Sequence, residues 1–192
     1  MTHRHFIIHK PYGYLSQFVR DPKKQKKKKL LAELHEFPTG TMAIGRLDED
    51  SEGLLLLTTD GKISEFVRSN SIEKEYYAQV DGLITGEAVE KLQQGVEVSI
   101  EGVQYITRPC VAKIMEQDPG FPERSRKIRD DRHGPTSWVS ITLTEGKFRQ
   151  VRKMTAAVGF PTLRLVRVRI GALLLNGLQT GAVKEVDTFH LT

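Results

Sequence analysis

One cysteine and one tryptophan are all that this 192-residue chain holds of those two residues. A single thiol, Cys110, excludes an intrachain disulfide and any zinc site built on clustered cysteines. A reducing, cytoplasmic setting fits. Long apolar runs are missing too. Four successive leucines, Leu54 to Leu57, fall far short of the roughly 20 residues that span a bilayer. No membrane partner is expected. Met1-Thr2-His3-Arg4-His5 leads into only a short apolar patch, which does not read as a secretory leader. Acidic residues are absent from a whole stretch: Gly146 to Lys184 holds none, against eight basic ones. Arg20 to Lys29 is nearly as one-sided. Lys23, Lys24, Lys26, Lys27, Lys28 and Lys29, with one arginine, face Asp21 alone. The overall balance, 29 Lys+Arg to 24 Asp+Glu, is a modest +5. Basic residues gathered in blocks are the footprint of a polyanion, here nucleic acid. For the lysine run the competing reading is a solvated, disordered loop.

What is present reads as strands and short helices without regular alternation. Strands are predicted at Phe6 to His9, Thr41 to Ile44, Leu54 to Thr59, Glu75 to Val80, 96–100, 103–115, Trp138 to Thr144, Thr162 to Ile170, Leu173 to Leu175 and Val183 to Val186. Helices are predicted at Leu30 to His35, at Lys62 to Ser69, from an N-cap at Thr85 to Gly95, and at about Phe148 to Val158. Glu116 to Pro135 is a long charged loop, of the kind that is functional or mobile. The fold class is α+β, with a mixed, largely antiparallel sheet and helices packed on it.

The most informative stretch is Gly45-Arg46-Leu47-Asp48-Glu49-Asp50-Ser51-Glu52-Gly53-Leu54-Leu55-Leu56-Leu57-Thr58-Thr59-Asp60-Gly61. It sets a carboxylate, Asp48, in a polar loop between two strands, the second of which must lie in the core. A loop gripped at both ends is where a fold can hold a side chain in place for chemistry. Asp48-x-Asp50-x-Glu52-Gly53 also mimics half a calcium loop, but the position that needs a bidentate Glu is Thr59 and the residues between are leucines. The plainer reading is a turn-capping Asp.

The same seventeen residues resemble the catalytic-loop signature of the pseudouridine synthases, in the branch named after ribosomal small-subunit pseudouridine synthase A. The resemblance makes Asp48 the catalytic residue and places Arg46 among the RNA contacts. Further motifs extend it over residues 9 to 171. Lys10-Pro11-x-Gly13 matches the N-terminal motif, read as structural. Lys74-Glu75-Tyr76-Tyr77 matches a Lys-x-Tyr pattern whose tyrosine, here Tyr76, stacks on the target base. Tyr77 would face the other side of the strand, toward the core. Glu145-Gly146-Lys147-x-Arg149-Gln150-Val151-Arg152-Lys153-Met154 matches the C-terminal motif, whose basic residue after Gln-Val contacts the catalytic Asp. That residue is Arg152. A guanidinium there favours the ionised carboxylate and orients it. On a helix, Arg149, Arg152, Lys153 and Ala156 would share a face, with Val151, Met154 and Val158 as the core stripe. Leu165 falls on the pocket wall, and Arg149, Lys153 and Arg167 join the lysine run as RNA contacts. Pro135-Thr136-Ser137-Trp138 points to members that begin directly in the catalytic domain and act on the large ribosomal subunit.

The resemblance therefore implies a single catalytic domain over residues 1–192, in two lobes around a cleft, with no separate N-terminal RNA-binding domain. It implies isomerisation of one uridine in large-subunit rRNA to pseudouridine, without cofactor or metal, by a monomer. Asp48 would act as nucleophile or as the base that starts glycosidic cleavage. The alternative from another class is a non-catalytic rRNA-binding assembly factor on the same fold.

Overall fold

The computed structural model describes residues 2–21, 27–69, 72–129 and 131–191. The chain divides into two units: Met1–Ile72, Arg124–Arg126 and Arg167–Thr192, and Glu73–Glu123 with Lys127–Val166.

The first unit opens with β1 (His5–Lys10), β2 (Tyr14–Leu15), β3 (Lys29–Leu30), β4 (Met42–Ala43), β5 (Glu52–Thr58) and helix α1 (Gly61–Arg68). The four leucines sit in β5, where all seven residues are buried, as the apolar run requires. β1 pairs antiparallel with β5 from His5 opposite Thr58 to Lys10 opposite Gly53. Phe6 and Ile8 are buried beside it. Phe37 packs edge-on against Phe6 and Phe18, each at 5.3 Å between ring centroids. Asp60 caps α1 by accepting from the Lys62 and Ile63 amides at 2.8 and 3.4 Å. The predicted helix at Leu30 to His35 is only a 3-10 turn, Leu31–Glu33.

The second unit holds β6 (Lys74–Asp81), α2 (Gly86–Gln94), β7 (Glu97–Ile100), β8 (Val103–Ile106), β9 (Val111–Met115), β10 (Thr136–Leu143) and α3 (Gln150–Ala157). α2 has the predicted Thr85 cap, whose hydroxyl accepts from the Ala88 amide at 3.3 Å, and closes at Gly95. The strand predicted over 103–115 is two strands, interrupted at Thr107–Cys110. Pro109 lies in that gap and offers no amide to a ladder. β10 runs antiparallel between β6 and β9. Buried Ala78, Val80, Val139, Ile141, Leu92 and Met154 form the core.

β11 (Thr162–Ile170) has the predicted bounds. It gives Thr162–Val166 to the second unit and Arg167–Ile170 to the first. β12 (Leu173–Leu174) and β13 (Val183–Val186) complete the first unit. The strand order is β13-β1-β5-β11 in the first unit, with β4 on β5 and β12 on β11, and β11-β6-β10-β9 in the second. Among the described residues no helix is long and apolar enough to cross a membrane.

The long loop at 116–135 has fixed points in the second unit. The Trp138 indole donates to Asp118 at 3.1 Å, Phe121 packs on Trp138 at 5.8 Å, and an Arg164 Nη donates to the Pro122 carbonyl at 2.9 Å.

Candidate active site

In the first unit the residues around Asp48 are tied down from several directions. The Ser16 hydroxyl accepts from the Leu47 amide at 3.0 Å and donates to the Leu47 carbonyl at 2.7 Å. The Gly13 amide donates to the Glu49 carbonyl at 2.8 Å, and the Ser51 amide to the Asp48 carbonyl at 3.1 Å. Lys10 is wholly buried beneath the loop. Its Nζ donates to the carbonyls of Ser51 at 2.7 Å, Pro11 at 3.0 Å and Glu49 at 3.5 Å. Asp48 itself is half-buried and Arg46 is exposed. The Lys10-Pro11-x-Gly13 motif thus braces the Asp48 loop with one ammonium and one amide. Burial pushes the Lys10 ammonium down to about 7, against the pull of Glu52, Asp50, Asp48 and Glu49.

Lys23, Lys24 and Lys26 lie outside the described residues. Lys27, Lys28 and Lys29 are exposed. Lys28 is far from Asp48 in sequence, yet its Nζ reaches both carboxylate oxygens of Glu49 at 2.7 Å. Lys29 stands over the Tyr14 ring at 5.4 Å. The end of the lysine run is therefore attached to the loop that carries Asp48.

Arg167, expected among the RNA contacts, needs correction. It is 3% exposed, and its Nε donates to the Leu54 carbonyl at 2.8 Å. Its guanidinium joins β11 to β5 instead of facing solvent. Arg164, equally basic in the sequence, is 6% exposed and lies over Phe121 at 5.5 Å.

The second unit carries Tyr76, Arg149, Arg152, Lys153 and Leu165. Tyr76 lies on the face of β6 that also buries Ala78 and Val80. Tyr77 is the less buried of the two tyrosines and meets Phe121 at 6.2 Å, so the expected core role does not fall to it. Leu165 is buried on β11, the strand next to β6. Arg152 is half-buried on α3 and one Nη donates to the Thr162 carbonyl of β11 at 3.4 Å. Elements β6, β11 and α3 thus bring Tyr76, Leu165 and Arg152 into one unit, on neighbouring supports.

α3 begins at Gln150, two residues later than predicted. Arg149 is its N-cap, in the left-handed region at φ 52°. It therefore leaves the helical face on which Arg152 and Lys153 sit. The cause is a buried carboxylate. Glu145 accepts from the Tyr105 hydroxyl, from the Arg108 amide at 3.0 Å and from the Gln150 side-chain amide. The Gln150 Oε1 in turn accepts from the Lys147 amide at 3.0 Å. This cage fixes the start of the helix. In the sequence Glu145 reads only as part of a turn. The one signal of its role is a Glu and a Gln bracketing a predicted helix start in an otherwise basic stretch. The expected apolar stripe is present, with Val151 and Met154 buried.

The sequence profile described as RNA pseudouridylate synthase matches residues 4–157. The chain belongs to the RNA pseudouridylate synthase family. Its relatives include the protein named ribosomal large subunit pseudouridine synthase E of Vibrio vulnificus (strain CMCP6), 42% identical over 94% of this chain and 74% of that one. The protein of the same name from Xanthomonas axonopodis pv. citri (strain 306) is 41% identical over 90% of this chain and 88% of its own length. A crystal structure of a pseudouridylate synthase matches with a TM-score of 0.74 at 24% identity, over 96% of this chain and 70% of that one. It shares the α+β fold. Within the pseudouridylate synthase signature, the structure separates the parts. Asp48 sits on the braced loop, Asp60 is a helix cap, and Gly53 allows β11 to approach β5. A Cβ at Gly53 would stand 2.3 Å from the Arg167 carbonyl oxygen.

Proposed function

We propose that this pseudouridine synthase isomerises one uridine of large-subunit rRNA, with Asp48 as the catalytic carboxylate. The observation that supports the substrate is identity above 40% across most of the chain with proteins named for that subunit. The reaction breaks the bond from ribose C1′ to N1 of uracil, turns the base and joins C1′ to C5; the C5 proton leaves to solvent and N1 takes up a proton. Substrate and product are isomers, so no external oxidant or group donor enters the balance. Asp48 supplies the carboxylate that starts glycosidic cleavage. The bonds on Leu47, Glu49 and Ser51 hold its backbone still, which keeps the carboxylate placed without reorganisation. Tyr76 offers a ring to the uracil and Leu165 an apolar wall. Arg152 keeps the Asp48 carboxylate ionised when substrate displaces water. The target uridine leaves its stack to reach the site. Arg46, Arg149, Lys153 and the lysine run hold flanking phosphates, because A-form RNA is recognised largely by shape and backbone.

The test is tritium release from rRNA labelled at C5 of uracil. Wild-type protein is expected to release tritium. Asp48→Asn is expected to release none above a trace while binding the same RNA. Turnover by the Asn variant would remove Asp48 from the chemistry. Binding without release by the wild type would favour the assembly-factor reading.

A further inference from the structure

Phe148 is 56% exposed, a large aromatic ring left in solvent in the turn before α3. The backbone on both sides of it is held. The Lys147 amide donates to Gln150 Oε1, the Gln150 amide donates to the Lys147 carbonyl at 3.2 Å, and the Lys153 amide donates to the Arg149 carbonyl at 3.1 Å. Arg149 takes a left-handed conformation, unusual for a residue with a Cβ. Such strain persists only where surrounding bonds enforce it, and here the Glu145 cage does so. The ring is thus presented by a rigid turn and not by a loose loop.

Its surroundings are cationic. Lys153 Nζ stands 5.3 Å from the Phe148 ring centroid, and it is held there by donating to the Ser99 carbonyl at 2.6 Å. Lys147 stands over the Tyr105 ring at 5.1 Å, and the Tyr105 hydroxyl is fixed by Glu145. Two aromatic rings and two ammonium groups are interleaved on one stretch of the second unit. A protein-binding hot spot wants a dry apolar surround. Phe148 has Lys147, Arg149 and Lys153 instead. A nucleotide fits this chemistry at both ends. Its base has a π-face for the ring, and its phosphate has ammonium partners nearby.

We propose that Phe148 is a stacking platform for an unpaired base of the RNA substrate, distinct from the uridine being isomerised. This rests on the rRNA substrate reading above. Stacking one unpaired base would help hold that part of the RNA single-stranded.

The experiment compares Phe148→Leu and Phe148→Trp with wild type, using a single-stranded oligouridylate and a transcript of the large-subunit rRNA. The side chain is exposed, so neither change disturbs the core. Phe148→Leu is expected to weaken binding roughly 5- to 150-fold, the range for losing one base–aromatic stack. The slope of log affinity against log salt should stay as in wild type, because no phosphate contact is lost. Phe148→Trp should retain affinity, and its fluorescence should be quenched by RNA. The one native tryptophan, Trp138, is 7% exposed and gives a separable background. Abasic substitution at one transcript position should erase the difference between wild type and Phe148→Leu. Equal affinity of the Phe148→Leu variant and wild type on both RNAs would overturn the platform, as would an unquenched indole. Pseudouridine formation by the wild type on the same transcript keeps the two readings apart. Turnover by the wild type with no effect of Phe148→Leu on binding sinks the platform alone. A Phe148→Leu effect on binding without wild-type turnover leaves the platform standing and sinks the substrate reading.

Discussion

Lys10 is an ammonium group placed where water does not reach, under the loop that carries Asp48. Its lowered pKa has a consequence for stability. In the unfolded chain a lysine holds its proton up to about 10.4. In the folded protein burial pushes Lys10 down to about 7. Between those values the unfolded state binds the additional proton, so stability rises with pH. The contribution is complete above the unfolded value and is lost as pH falls toward 7. Stability of the wild type relative to Lys10→Met should therefore climb by about 1.4 kcal/mol per pH unit from roughly pH 7.5 to 10. Urea denaturation at a series of pH values measures this. A flat difference would mean that the neighbouring carboxylates of Glu52, Asp50, Asp48 and Glu49 keep Lys10 charged. Part of this is legible in the sequence. The motif around Lys10 reads as structural, but nothing in its spacing tells that the ammonium meets the carbonyls of Glu49 and Ser51, far along the chain. Arg167 misleads for a related reason. Alternation of apolar and basic residues along β11 suggests a basic outer face. Yet β11 pairs with β5 in the first unit and β6 in the second, and four successive residues, Arg164 to Arg167, are buried. In a covered strand, polarity no longer marks the solvent side. The guanidiniums are accommodated by backbone carbonyls of Leu54 and Pro122.

Strands and helices with strong local signals are legible in the sequence. The Thr85 cap, the buried leucines of β5 and the bounds of β11 all follow from side-chain chemistry within a few residues. The start of α3 does not, because it depends on Glu145 meeting Tyr105, forty residues away. The signature glycine of β5 is a similar case. Gly53 has φ +107°, and a Cβ there would meet both the carbonyl and the amide of Arg167, at 2.3 and 2.7 Å. Gly45 also has a positive φ, +71°, but nothing lies within 4 Å of its Cβ position. The two should respond differently to alanine. Gly45→Ala is expected to cost about 1–2 kcal/mol, the strain of a left-handed residue. Gly53→Ala adds a backbone clash that no side-chain rotation relieves, and should cost about 3 kcal/mol or more. Denaturant midpoints at matched slope give both values. Equal losses would show that β11 gives way at Arg167.

The residues proposed for catalysis and RNA contact are spread along the chain and across its two units. Asp48, Arg46 and Lys27 to Lys29 belong to the first; Tyr76, Arg149, Arg152, Lys153 and Leu165 belong to the second. This spread is readable only through motifs, because no composition or periodicity joins residue 48 to residue 152. The electrostatic grip is testable without locating any single phosphate. Replacing Lys27, Lys28 and Lys29 with serine should weaken RNA binding and flatten its salt slope by roughly 2 to 3 units if all three meet phosphates. The saturated single-turnover rate is the check on the neighbouring loop. Lys28 is paired with Glu49, so a phosphate must compete for it. Glu49→Gln should accordingly tighten RNA binding. An unchanged salt slope in the triple variant would reduce the run to a solvated loop.

The pairing of β1 with β13, which sets His5 opposite Val186, also dictates an order of events during synthesis. β5 requires β1 on one side and β11 on the other. The first unit therefore completes its sheet only when residues 167–192 have left the ribosome, although its first 72 residues emerge earliest. The second unit, almost unbroken from Glu73 to Val166, has its strands and helices available sooner. Domains generally fold as units as the chain appears. The second unit can thus gather Tyr76 and Arg152 while the first still lacks its last strands, although the bonds that brace the Asp48 loop, from Lys10, Gly13 and Ser16, are already within reach.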